Sequence, residues 1–175
     1  MQANWPKSLA FTLEREGGWY DDPRGGPTEK GITLATYRNF TGNMDLMASD
    51  LQNISDDEVS QIYKKGFWDK MLCDSLPAGV DVMVFDFGVP SGWMNSLYIL
   101  QKALNVTVDG NIGDVTTKAM AAISGTRLVE LLRERQWTYY GEVHGASTQL
   151  IKSWRNRLTL RAYLGQDLAK GVTYV

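Results

Sequence analysis

Glu16 stands on a helical face with Trp5, Leu9 and Leu13, at the i, i+4, i+8, i+11 spacing of one side of an α-helix. A carboxyl on an inward face is desolvated, which favours its protonated form. A place at the helix C-terminus disfavours negative charge as well. A proton retained near neutrality is what a general acid needs; the competing reading is a frayed terminal residue that reaches water. Asp21 and Asp22 follow in a loop rich in glycine and proline. Cleavage of a glycosidic bond commonly uses two carboxylates, one as acid and one as nucleophile, base or stabiliser. Glu16 with Asp22 has the composition of such a pair, although adjacent aspartates are also ordinary turn residues. Thr28, further along the loop, offers a hydroxyl that can orient a water. Trp19, Tyr20 and Trp68 are candidates to pack on the apolar faces of sugar rings, whereas Phe67 is expected in the core.

Other chemistry finds less support. The single cysteine, Cys73, excludes an intramolecular disulfide. One cysteine and one histidine, His144, do not make a Cys/His zinc site. Cys73 reads as a buried thiol and His144 as a surface residue in an inter-helix turn. Asp109-Gly110-Asn111-Ile112-Gly113-Asp114 has its glycine second rather than sixth and lacks the closing glutamate, so it is not a calcium loop. No metal or cofactor is expected.

These residues need elements to place them, and most of the chain reads as helix. Gly17 and Gly18 stop the first helix after Glu16. Residues 19–32 are turn-rich and suit a short β hairpin with Gly31-Ile32-Thr33 as one arm. Thr33 reads as the N-cap of a helix through Thr36–Phe40. Ser55 and Glu58 have the spacing of a capping box, opening a helix with Val59, Ile62 and Tyr63 on one face. Residues 78–89 are nearly all apolar and read as a buried helix, with Asp81 and Asp86 as polar exceptions. Leu97, Leu100 and Leu104 mark another helix, and Asp114 is placed to cap one over Val115–Ile123. Two longer helices are expected at 126–143 and 147–168, broken near Gly145. There are no repeats and no long linker.

The 175 residues are 43% hydrophobic and 22% charged, the balance of a globular protein with a real core. Residues 1–125 carry 10 Lys+Arg against 16 Asp+Glu, a net −6; residues 126–175 carry 8 against 4, a net +4. The basic end suits either an anionic polymer such as a cell envelope or plain solvated helix faces. No Lys/Arg cluster makes a nucleic-acid footprint. No apolar run approaches the roughly 18 residues of a membrane helix. No signal-peptide pattern opens the chain, so accumulation in the cytoplasm is the expectation.

Glu16-Gly17-Gly18-Trp19-Tyr20, followed by Gly25-Gly26-Pro27-Thr28-Glu29-Lys30-Gly31-Ile32-Thr33, resembles the E-G-G-aromatic … G-G-x-T-x-x-G-I-T signature of glycoside hydrolase family 108. These are lysozyme-like muramidases found among phage endolysins and bacterial secretion activators. The resemblance continues through Phe67-Trp68-Asp69, Cys73-Asp74-Ser75-Leu76-Pro77-Ala78-Gly79-Val80-Asp81 and Phe85-Asp86-Phe87. Ile99-Leu100-Gln101 and Val108-Asp109-Gly110-Asn111-Ile112-Gly113-Asp114-Val115-Thr116 are similar to the L-Q … D-G-x-I-G-x-x-T pattern of that family's companion peptidoglycan-binding segment.

The resemblance implies a mainly α, lysozyme-like fold with a small β hairpin. Residues 1–90 would be a catalytic region and 91–175 a helical peptidoglycan-binding region packed against it. It places the acid on Glu16 and the signature threonine on Thr28. Pro23-Arg24 stand before the glycine pair where many members have aspartate, so Asp22, then Asp21, is the nearest second carboxylate. Pro90, where the family shows Asn, suggests a sharp break before the second half. The implied reaction is hydrolysis of the β-1,4 bond between N-acetylmuramic acid and N-acetylglucosamine. Alternatives are a lytic transglycosylase and a non-catalytic wall-binding or secretion-support protein. The implied partner is the peptidoglycan glycan strand, met by a monomer that engages neither nucleic acid nor membrane. The implied location is a host cytoplasm, with release to the wall through a holin-type pore.

Overall fold

The computed structural model describes residues 4–23 and 25–172, the Asp22 side chain excepted. The chain folds as two compact units, one of residues 9–66 and one of the N-terminal eight residues with 67–175. Neither boundary falls at 90. Helix α1 (Trp5–Glu16) is shared between them.

In the 9–66 unit, α1 ends at Glu16 and Gly17 follows at φ +77°, the left-handed conformation glycine adopts without cost. Strands β1 (Tyr20–Asp22), β2 (Gly26–Glu29) and β3 (Ile32–Thr33) form an antiparallel sheet in that order. The expected hairpin is therefore three-stranded, and Gly31 lies in a turn rather than on an arm. Thr33 caps α2 (Leu34–Thr41), its hydroxyl accepting the Thr36 N–H at 3.2 Å. A short helix, α3 (Ala48–Gln52), was not expected; its cap is Met47, which has no hydroxyl to announce it. The Ser55–Glu58 capping box opens α4 (Asp56–Tyr63) as the sequence predicts, and Val59, Ile62 and Tyr63 are its buried face. Both α2 and α3 pack on β2.

The other unit is built around α5 (Val80–Ser91), buried on all sides from Val80 to Gly88. Helices α6 (Trp93–Leu104), α8 (Gly125–Glu142) and α9 (Thr148–Ala169) enclose it, with α7 (Asp114–Ala121) against α6. A glycine pair brings α5 and α9 together: a Cβ on Gly165 would stand 3.0 Å from the Gly79 carbonyl oxygen. Helix α5 runs through Pro90 to Ser91, so the break comes at Gly92, at φ +92°, not at the proline. Asp114 begins α7 from its first turn, with Gly113 as the cap.

Two carboxylates lie inside this unit and are handled differently. Asp81 accepts the N–H groups of Gly79 and Val82 and the Asn4 side-chain amide. Burial nonetheless raises its pKa, outweighing the hydrogen bonds that favour the charged form. Asp86 faces two guanidinium groups, Arg161 at 2.6 Å and Arg157 at 2.7 Å. Burial alone would raise the Asp86 pKa, but the Arg161 charge and the Arg157 hydrogen bonds outweigh it and hold the carboxyl below its ordinary range. Arg161 also donates to the Gln136 side-chain oxygen, and Gln136 donates to the Met83 carbonyl, tying α9 through α8 to α5. Among the described residues no helix is long and apolar enough to cross a membrane.

Candidate active site

Glu16 closes α1, and its setting differs from the simple helical-face reading. The fully buried side chains of α1 are Ser8 and Thr12, while Leu9, Leu13 and Glu16 are half-buried. Residues 8, 12 and 16 form one i, i+4 row. Glu16 is the last member of that row and is half-buried, where Ser8 and Thr12 are fully buried. The inward face is more polar than the leucine spacing suggests.

What shelters Glu16 is the β2–β3 turn. The register pairs Glu29 with Ile32, leaving Lys30 and Gly31 as a two-residue connection. Both have positive φ, +49° and +75°, the requirement of a type I′ hairpin turn. Glycine meets that requirement freely; Lys30 meets it at some cost in strain. The turn is pinned from α4 by the Tyr63 hydroxyl, which donates to the Lys30 carbonyl oxygen at 2.8 Å. Gly31 then fits where no side chain would. A Cβ there would stand 2.5 Å from the Tyr63 hydroxyl oxygen and 3.2 Å from both Cβ and Oε2 of Glu16. The turn, the acid and the tyrosine therefore share one small space.

Thr28 lies on the central strand, paired with Tyr20 of β1 on one side and Thr33 of β3 on the other. Residues opposite one another across a sheet share a face, so these three form one row. The Thr28 hydroxyl makes one long contact, to the Gly26 carbonyl oxygen at 3.4 Å, and the side chain is half-buried. Asp21 and Asp22 belong to β1, opposite Pro27 and Gly26. Asp21 is exposed, and the Asp22 side chain lies outside the described residues. Trp19 and Tyr20 present 37% and 61% of their surface to solvent, so both rings are free to meet a ligand.

Trp68 does not belong with them. It is completely buried, edge-on to Trp5 and Phe85 at centroid distances of 5.1 and 5.4 Å, and its indole N–H donates to Asp74 at 2.9 Å. An indole with no exposed face cannot stack on a sugar; packing takes the ring that sequence adjacency to the site had nominated. Cys73 is buried and His144 exposed, as expected.

The polar motif of residues 101–116 is consumed by its own loop. The Gln101 side-chain oxygen accepts the N–H groups of Asp109 and Gly110. Its nitrogen donates to Asp109 Oδ1 at 2.7 Å and to the Asn111 carbonyl oxygen at 3.0 Å. The Asn111 N–H and this amide hold the Asp109 carboxyl below its usual pKa. These contacts close a turn on α6.

Sequence reasoning missed Tyr63, which it placed only on an apolar face, and the Lys30-Gly31 turn. The signal for the turn was present: a two-residue connection ending in glycine ahead of Ile32-Thr33. Nothing local links Tyr63 to Glu16.

Comparison with known proteins supplies an independent frame. Residues 9–92 match the family described as Glycosyl hydrolase 108. The solved structure of Brucella abortus SagA is similar over 97% of this chain and 98% of that one, with a TM-score of 0.83 and 28% sequence identity. Comparison with curated proteins gives no match.

Proposed function

We propose, from the premise that this chain belongs through residues 9–92 to the glycosyl hydrolase 108 family and is a lysozyme-like glycoside hydrolase directed at peptidoglycan, that it is an N-acetylmuramidase. The bond cut is the β-1,4 linkage between N-acetylmuramic acid and N-acetylglucosamine. One observation supports this most: the carboxyl of Glu16, at the end of α1, is half-sheltered against the Lys30–Gly31 turn in the unit that carries Thr28 and the exposed rings of Trp19 and Tyr20. A half-buried position at the end of a helix holds the carboxyl in place and leaves it within reach of a substrate.

In this reading Glu16 protonates the leaving glycosidic oxygen. Asp22, with Asp21 beside it on β1, stabilises positive charge on the sugar, and Thr28 orients the attacking water. Trp19 and Tyr20 hold the sugar faces. A general acid supplies roughly 10²–10⁴-fold of rate, and substrate positioning supplies much of the rest. The enzyme acts as a monomer. It is a phage endolysin, made in the host cytoplasm and released to the wall through a holin-type pore.

Digestion of purified sacculi with product analysis by mass spectrometry tests the reaction. Released fragments with reducing ends are expected. Fragments ending in 1,6-anhydro sugars would make it a transglycosylase, and protein that sediments with sacculi without releasing anything would make it a wall-binding protein only.

A further inference from the structure

Trp137, on α8, presents 44% of its surface to solvent, and the chemistry assigned to Glu16, Asp22 and Thr28 makes no use of it. Its ring is held from α9. The Arg155 guanidinium lies over it, 4.3 Å from the ring centroid, and Nη2 donates to the Trp137 carbonyl oxygen at 3.5 Å. Gly141 makes room for that guanidinium, because a Cβ there would stand 3.0 Å from Nη2. Arg155 Nε is buried without a hydrogen-bond partner. A ring and a carbonyl hold this arginine, not an acid. Hollows of about 360 and 390 Å³ open on Trp137, the first lined by Arg133 and Glu134, the second by Lys152, Arg155 and Asn156. Each is of a size that takes a small ligand or one residue of a polymer. Among the described residues Arg133, Lys152 and Arg155 have no acidic partner, and Glu134 is the one acid lining either hollow. A third hollow, of about 370 Å³, shares Arg133 with the first and Thr159 with the second. It carries Tyr163, 67% exposed, and balances Arg133 and Lys170 against Glu130 and Asp167. The three follow one another along α8 and α9, a run that suits a chain, and the excess of positive charge is at Trp137.

We propose that this α8–α9 groove binds peptidoglycan by its stem peptides as well as its sugars, with Trp137 packing on a sugar ring and Arg133, Lys152 and Arg155 pairing with stem-peptide carboxylates. This rests on the reading of the protein as a peptidoglycan hydrolase. It adds a place of contact built from other residues than the Gln101–Asn111 loop, whose polar groups are consumed internally. An exposed indole is a flat apolar surface of the kind a pyranose face packs against. Cations without partners favour an anion, and a guanidinium can take a carboxylate through two parallel N–H bonds. Peptidoglycan joins both features on one polymer: sugars left uncharged where their lactyl groups carry peptides, and peptides that hold free carboxylates. The indole then reads the sugar and the cations read the peptide.

The test is sedimentation of the full chain, carrying Glu16→Gln so that the wall stays intact, with two kinds of purified sacculi. One kind is native; in the other the carboxylates are converted to neutral amides with carbodiimide and glycinamide. Adding Trp137→Ala is expected to raise the Kd for native sacculi about 10-fold or more. Adding Arg133→Gln with Lys152→Gln, both exposed side chains, is expected to raise it about 3- to 10-fold on native sacculi and to have no effect on neutralised ones. Should Trp137→Ala not fold, the Arg133→Gln, Lys152→Gln protein decides alone. An unchanged Kd in the folded variants overturns the inference, and so does equal weakening by Arg133→Gln with Lys152→Gln on both kinds of sacculi. Trp137-dependent binding to phosphatidylglycerol vesicles, with none to sacculi, would make the groove a lipid surface and overturns it too. Failure of the hydrolase reading looks different: a wild-type protein that releases no fragments from sacculi removes that reading, whereas released fragments beside an unchanged Kd remove only the groove.

Discussion

Asp86 is the residue on which the α5 unit most depends electrostatically. It is fully buried between Arg157 and Arg161, and Arg161 is itself fully buried. Removing one partner of a buried ion pair leaves an uncompensated charge, so Asp86→Asn is expected to cost about 3–5 kcal/mol, read as a lower urea midpoint. The pH dependence has a definite sign. Net of its surroundings, the Asp86 pKa is lowered in the folded state. Its contribution is therefore present above the ordinary carboxyl range, near 4, and is lost as pH falls through the depressed folded value. The stability gap between wild type and Asp86→Asn should be constant near neutrality and close in acid. A gap that widens in acid would show that the arginines do not govern this carboxyl. From sequence, Asp86 was visible as a polar exception in an apolar run and as part of the Phe85-Asp86-Phe87 stretch, neither of which names its partners. Its partners lie on α9, and periodicity carries no information about pairing across the fold.

At the scale of elements, what is local is legible. Thr33 and Ser55 cap the helices predicted for them, because a hydroxyl acting on an N–H three residues on is written in adjacent positions. The helices at 126–143 and 147–168 fall within a residue of α8 and α9. What depends on packing is not legible. Trp68 looked available but is core, Ser8 and Thr12 are buried though the leucine spacing does not single them out, and α3 has no capping hydroxyl to reveal it. The candidate site follows the same division: Glu16 could be found from its place at a helix end, whereas Tyr63 beside it could not. The Gln101 loop yields a prediction at this scale. Gln101→Leu leaves the N–H groups of Asp109 and Gly110 without their acceptor, and each unsatisfied group costs about 1–3 kcal/mol. The expected outcome is a lower melting temperature with wall binding retained in a sedimentation assay. Loss of binding at unchanged stability would give the motif a direct role on the wall.

At the scale of the molecule, the family match ends at Gly92, just past α5, but the packing does not divide there. Helix α5 is buried by α6, α8 and α9, and its Asp86 is neutralised by arginines of α9. A fragment ending at Ser91 would expose the apolar surface of α5 and strand that carboxyl. It should be aggregation-prone and lack a cooperative thermal transition; a soluble, cooperatively folding fragment would contradict this account of α5. The C-terminal helices thus have a structural duty to the matched region, whatever else they bind. The central claim remains that a sheltered carboxyl on α1 performs the reaction, and Glu16→Gln tests it most directly. The variant keeps the shape of the side chain and removes the proton to be given. Assayed for release of soluble fragments from purified sacculi, it should unfold at the wild-type temperature yet show near-complete loss of hydrolysis. A folded Glu16→Gln protein that still dissolves sacculi at the wild-type rate would contradict the account.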